Sequence, residues 1–152
     1  MQDLSLHILD IVENSIRASA RRVEIKIEEN PEKDMLVLEI KDDGKGMDEQ
    51  ALQQATDPFY TTKTTRRVGL GLSLLAQAAR QSEGDIQISS ALNQGTTIKA
   101  DFRLSHPDRK PMGDMDETIR TLVISHPEID FLYEHKNGDE FYCFDTREVD
   151  KK

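Results

Sequence analysis

Three short segments, met in a fixed order, constrain this chain most. They are Asp10-Ile-Val-Glu-Asn14-Ser15, Asp42-Asp-Gly44-Lys-Gly46, and Pro58-Phe-Tyr-Thr-Thr-Lys63 running on to Gly69-Leu-Gly71-Leu72. Each falls at the edge of a periodic stretch. Leu4, Ile8, Ile11, Val12, Ser15 and Ile16 recur at three- and four-residue spacing, which predicts an amphipathic helix over residues 3–20 with Asp3 as its N-cap. Val23-Glu-Ile-Lys-Ile27 alternates with period two, and Met35 to Ile40 is a second strand that stops at the Asp-Asp-Gly loop. With the polar turn Asn30–Asp34 between them, the two strands predict a hairpin.

A short helix is expected from about residue 48 to 56, then a loop over 57–68 rich in Thr, Lys and Arg. Leu70 to Gln81 is periodic enough for a helix, with Gly84 as its stop. Asp85–Ala91 and Thr96–Leu104 read as strands parted by the turn Asn93-Gln-Gly95. Ser105 to Gly113 holds the densest Pro/Gly content and reads as a linker, giving units at 1–104, 105–113 and 114–152. In the last unit Asp114–Ser125 is helical in pattern. Residues 130–136 and 139–144 flank Asn137-Gly138, a type I′ hairpin signal. Phe131, Tyr133, Phe141, Tyr142 and Phe144 are expected to form that hairpin's core.

Composition narrows the function classes. A net charge of −9 opposes nonspecific nucleic-acid or anionic-membrane binding, since both call for a basic footprint. The single cysteine, Cys143, leaves no internal disulfide framework, and the four histidines lack metal-ligand spacing. No apolar run approaches the roughly 20 residues of a membrane span, so a cytoplasmic location is expected.

Asp10 and Asn14 are one turn apart and share a helix face. An amide oxygen there can complete a magnesium ion's shell beside phosphates and water. A glycine-bearing segment opening a helix can offer bare N–H groups to phosphate. Taken alone, Asp10 and Asn14 are ordinary solvent-side residues and Asp42–Gly46 is an acidic turn. In register, the three segments resemble the ATP-binding domain shared by gyrase, Hsp90, histidine kinases and MutL, the GHKL superfamily, from about residue 4 to 104. The resemblance implies a Bergerat fold: an α/β two-layer sandwich, its mixed and mostly antiparallel sheet carrying helices on one face. The C-terminal helix and β-hairpin lie outside it.

The resemblance also implies roles. Asn14 would ligate Mg2+. Asp42 would accept the adenine amino group, with Gly44 and Gly46 letting the backbone pass close. Lys63 would reach the γ-phosphate, and Thr96 would support the adenine site. Met47, Phe59, Thr62, Gly69, Leu70, Gly71 and Leu72 would surround the nucleotide, ATP or ADP. Arg17 and Arg21, placed three and seven residues after Asn14 on one helical stripe, would meet phosphates. Asp10 stands where hydrolysing members carry a glutamate as general base, one methylene longer. The lid segment Pro58–Lys63 is closest to that of histidine kinases.

The function this implies is a Mg-ATP-binding module that regulates a protein partner, as a weak ATPase or phosphotransferase. The alternatives are a serine or histidine kinase acting in trans, like the anti-sigma-factor kinases, and a nucleotide-dependent binder without phosphoryl transfer. An upstream helical module bearing a phospho-acceptor histidine is not expected, and the oligomeric state stays open. The tail is the expected partner surface.

Overall fold

The computed structural model describes residues 4–46, 66–107, 109 and 112–146, with the backbone alone over 66–73. The elements run α1 (Leu4–Arg17), β1 (Arg22–Asn30), β2 (Met35–Asp42), α2 (Arg66–Gln81), β3 (Ile86–Ala91), β4 (Gly95–Arg103), α3 (Met115–Ser125), β5 (Asp130–Asn137) and β6 (Glu140–Asp145). The expected N-cap Asp3 and the helix at 48–56 lie outside the described residues.

The strands form one sheet in the order β3-β4-β2-β1-β5-β6. Every pairing is antiparallel except β1 with β5, so the sheet is mixed and mostly antiparallel, as expected. Alternation decides which face is covered. Val23, Ile25, Ile27, Leu36, Leu38, Ile40, Ile98, Ala100 and Phe102 point to one side and are buried. On that side α2 lies over β3 and β4, α1 over β2, and α3 over β5. Leu4, Ile8, Ile11 and Val12 form the buried stripe of α1, at the spacing read from sequence. No described element covers the opposite face, and its cross-strand charges alternate. One rung reads Gln87, Lys99, Glu39, Lys26, Glu134 and Cys143 from β3 to β6. Opposite charges thus face each other across the central strands, which favours the observed register.

The tail joins this sheet. β5 pairs with β1, and Ile119, Leu122, Phe131 and Tyr133 enter the same buried cluster as Leu4 and Val23. Ser5 N–H donates to the Met112 carbonyl at 2.9 Å, and His126 at the end of α3 meets Glu13 of α1 at 3.2 Å. Inside the tail Tyr133 is buried, and burial raises its phenol above the ordinary tyrosine range. The hydroxyl therefore stays protonated and lies 3.0 Å from His135 Nδ1, while His135 Nε2 meets Glu29 at 2.6 Å.

Four local expectations are corrected. The first helix ends at Arg17 rather than residue 20, because Ser19 takes a left-handed φ of 69°. Ala20 and Ser19 N–H groups then cap the Ser15 and Ile16 carbonyls. The same motif ends α2 through Glu83 at φ 65°, so Gly84 is not the left-handed stop. Gly84 serves close approach instead, since a Cβ there would collide with the Asp101 carbonyl oxygen. The tail turn is displaced by one residue: Asn137 pairs with Glu140, leaving Gly138-Asp139 as the loop with only Gly138 at positive φ. That is the φ pattern of a type II′ turn, not I′. Finally, Phe131 and Tyr133 are core but Phe141 and Tyr142 are exposed, because β6 ends the sheet and no described helix covers it.

Candidate functional site

The loop after β2 is wedged between two neighbours. Lys45 N–H donates to the Ala18 carbonyl at 2.9 Å, just beyond α1, and Asn93 N–H donates to the Lys45 carbonyl at 2.6 Å from the β3–β4 turn. Glycine is required where these backbones meet. Gly46 at φ 69° runs against the Ala91 carbonyl, and Gly95 at φ 85° against the Asp42 carbonyl, so a Cβ at either would overlap main-chain oxygen. At Gly44 a Cβ would sit 2.8 Å from the Ala18 oxygen.

This wedge fixes Asp42. Its side chain falls on the helix-facing side of the last residue of β2 and is only 8% exposed. One carboxylate oxygen accepts from Ser15 Oγ at 2.7 Å and the other from Gly44 N–H at 2.9 Å. Each oxygen keeps a lone pair for a further donor. Thr96 of β4 is the direct cross-strand partner of Asp42, so it shares that face, whereas Thr97 points to the open side. Ser90 Oγ donates to the Gly95 carbonyl at 3.0 Å, so in the 2.8 Å Thr96–Ser90 pair the threonine hydroxyl is the donor. Its oxygen remains able to accept.

On α1, Asp10 and Asn14 are half-buried, one turn apart, and Asn14 precedes Ser15. Arg17 Nη1 donates to Asn14 Oδ1 at 2.8 Å. Among the described residues no cluster of three His, Cys, Asp or Glu side chains could hold a metal. Asn14 offers an amide oxygen that could join phosphate and water oxygens around a magnesium ion, a donor set it accepts.

Arg21 is not on the Asn14 stripe. It follows the end of α1, is exposed, and its N–H donates to Asp43 Oδ1 at 2.8 Å. Gly69 and Gly71 do not open the second helix, which begins at Arg66 and carries them, with Leu70 and Leu72, inside its first two turns. The first four N–H groups of that helix belong to residues 66–69. Met47, Phe59, Thr62 and Lys63 lie outside the described residues.

The chain from residue 2 to 107 matches the model of the histidine kinase-, DNA gyrase B- and HSP90-like ATPases. The chain belongs to this family. A Shewanella frigidimarina chain described as a sensor protein is 35% identical over 109 residues, 70% of this chain and 17% of that protein. Sensor histidine kinase YxdK of Bacillus subtilis is 31% identical over 105 residues, 65% of this chain and 32% of that one. Sensor histidine kinase WalK of the same organism is 30% identical over 124 residues, 76% of this chain and 20% of the kinase. This chain therefore spans a third or less of each of these relatives' length. It is an ATP-binding, histidine-kinase-like domain of α/β fold. Among the described residues no helix is long and apolar enough to cross a membrane.

Sequence reasoning missed Ser15, Ser90 and Asp43. Ser15 falls within the apolar spacing of α1, yet a hydroxyl on a buried helix face needs a partner, and that partner is Asp42. Asp43 accepts from both Arg21 and Arg22 N–H, at 2.8 and 3.0 Å. Burial would raise its pKa, but these backbone donors outweigh it and hold the carboxyl below the usual range.

Proposed function

We propose that this ATP-binding domain works as a Mg-ATP-dependent regulator of a protein partner, coupling nucleotide occupancy to that partner through weak hydrolysis or phosphoryl transfer. The observation that carries the reading is the buried Asp42 carboxylate. It is oriented by Ser15 and Gly44, faces Thr96 across the sheet, and lies close in the chain's fold to Asn14, the residue after which α1 delivers Ser15. A fixed carboxylate acceptor prefers the amino group of adenine to the carbonyl of guanine. Asn14, with phosphate and water oxygens, would hold Mg2+, which would supply neutralisation of phosphate charge.

Asp10, one turn before Asn14, is the residue to accept a proton from water or from a partner's hydroxyl. Its side chain is a methylene shorter than the family's glutamate, and a displacement near 1 Å costs about a hundredfold in rate. Slow turnover suits a switch better than a motor. Arg17, now on Asn14 Oδ1, becomes available to phosphate when that oxygen is taken.

The test is thermal unfolding with Mg-ATP, Mg-ADP and Mg-GTP, for wild type and Asn14→Ala. At about 100 times its dissociation constant a ligand adds about 2.7 kcal/mol. For a domain of this size that raises Tm by about 5–10 °C. An adenine-selective rise that Asn14→Ala diminishes supports the site, and phosphate release with an Asp10→Asn control then reads turnover. Equal response to ATP and GTP would refute the assignment of Asp42.

A further inference from the structure

Of the five large apolar side chains that stand exposed among the described residues, three belong to the last helix and strand: Ile124 on α3 and Tyr142 on β6, both on the helix side, and Phe141 on the open face of β6. β6 is a terminal strand of the sheet, and no described strand pairs with its outer side. The other terminal strand, β3, shows solvent Gln87, Ser89 and Ala91 instead. Edge strands are usually blunted by charged side chains, lysine above all, by proline or by a bulge; in Glu140-Phe-Tyr-Cys-Phe-Asp145 the charges stand only at the two ends, and no lysine, proline or bulge interrupts the run between them. Above it runs a groove of about 330 Å³ between α3 and the last two strands, lined mainly by aliphatic and aromatic side chains, Tyr142 and Phe144 among them, with the charged Asp116 and Arg120 of α3 also on its wall. Tyr142 and Phe144 point into this helix side, and Phe141 and Cys143 to the open face, as their pairing with β5 dictates.

We propose that this edge is a homodimer interface, in which β6 pairs antiparallel with β6 of a second copy about a two-fold axis through Cys143. In a strand pair related by such an axis one residue lies opposite itself, so few registers exist. Centring on Cys143 sets Tyr142 opposite Phe144 of the second copy twice over, both on the helix side, and Phe141 opposite Asp145. Aromatic cross-strand pairs are favourable. No two like charges then face each other, and Asp145 is already neutralised by Arg22 at 3.4 Å. Centring on Tyr142 would instead set Asp145 against Asp139 and Phe144 against Glu140. Charge thus excludes the Tyr142 register, and of the self-opposed registers left within β6 only the one centred on Cys143 makes two aromatic cross-strand pairs.

The helix layer agrees. α3 lies over β5, so the two copies of α3 would be three strand spacings apart, about 14 Å. Helices in direct contact sit 8–10 Å apart, so the extra space is what four aromatic side chains, Tyr142 and Phe144 from each copy, would fill. The two grooves merge into one largely apolar layer, with Asp116 and Arg120 of each copy on its wall, above a continuous twelve-stranded sheet. The nucleotide residues on α1, β2 and β4 stay clear of it.

The native cysteine supplies the test. Directly opposed residues in an antiparallel pair have Cα atoms about 4.5 or 5.5 Å apart, within the range a disulfide spans. The full chain should sediment near twice its 17.3 kDa mass. Diamide should convert it to a covalent dimer that Cys143→Ser abolishes while the noncovalent dimer persists. Tyr142→Lys should weaken association by about tenfold or more, since it acts twice across the axis, with its circular dichroism and its Tm response to nucleotide retained. Sedimentation as a monomer at 100 micromolar, or a dimer unchanged by Tyr142→Lys, overturns the proposal. A dimer without diamide cross-linking overturns the Cys143 register.

Discussion

Replacing Ser15 by alanine isolates the contact that sequence reading overlooked. The hydroxyl is buried and donates to Asp42 Oδ2 at 2.7 Å, with a longer 3.4 Å approach to the Ile11 carbonyl. A hydrogen bond to a charged group contributes about 1.5–3 kcal/mol, and its loss leaves a buried carboxylate oxygen short of a donor. Alanine regains about 0.5 kcal/mol of helix propensity. The net loss is then about 2 kcal/mol, which lowers Tm by about 4–8 °C in a chain of this length. Ser82 is the internal control: it is fully buried after α2, but its hydroxyl reaches only the Ala78 and Ala79 carbonyls, both at 3.2 Å. Ser82→Ala should cost about 1 kcal/mol or less, because bonds between neutral groups are weaker and helical carbonyls are already engaged. Urea unfolding of the three proteins gives stability, and calorimetric titration of Mg-ATP gives affinity. Ser15→Ala should also weaken ATP about 3–10-fold by freeing the Asp42 carboxylate to rotate. Equal stability losses for the two serines, with ATP affinity untouched, would refute the reasoning.

Three further outcomes follow from the site's construction. Gly95→Ala, which drives a Cβ into the Asp42 carbonyl at φ 85°, should cost about 3 kcal/mol or more, whereas Gly138→Ala, with nothing within 4 Å, should cost only the left-handed penalty of about 1 kcal/mol; denaturant midpoints compare them. Asp43 has a folded-state pKa below its unfolded value, so its stabilising contribution is full above about pH 4 and is lost as pH falls through the folded value. Asp43→Asn should therefore be less stable than wild type at pH 7, with the gap closing towards pH 2 in acid titrations followed by circular dichroism. Asp42→Asn can keep the Gly44 contact and turn its amide towards Ser15, so it should fold normally yet bind ATP about 10–100-fold more weakly in the same calorimetry.

Periodicity carried most of the architecture. The stripe Leu4–Ile16 and the alternations at 23–27 and 35–40 needed no tertiary knowledge, because one covered face leaves a period in the sequence. What escaped depends on groups distant in the chain. Ser19 and Glu83 take left-handed conformations that sequence assigns to glycine, inside the hydrogen-bonded turns that end α1 and α2. Arg21 leaves the helical stripe because α1 ends at Arg17. The link from Ser15 to Asp42 spans 27 positions and has no local signature. Asp42, Asn14 and Thr96 were legible through the family motifs, and the structure brings Asp42 and Thr96 side by side. The aromatic run of β6 was legible as apolar but not as uncovered, since nothing local tells an edge strand from a central one.

The parallel pairing of β5 with β1 has a consequence for how the chain assembles. Its partners, Arg22 with Asp130 through Glu29 with Asn137, are separated by about 108 positions, so this ladder closes the longest loop in the described sheet. During synthesis the strands up to β4 emerge first, and until α3 and β5 arrive the outer edge of β1 presents an open row of amides and carbonyls, while Val23, Ile25 and Ile27 on its helix-facing side lack the neighbours that Ile119, Leu122, Phe131 and Tyr133 later supply. The newborn nucleotide-binding half is thus sticky for a defined interval, ended only when α3, β5 and β6 dock. Slow decoding or truncation within that stretch would show as aggregation rather than as altered nucleotide affinity.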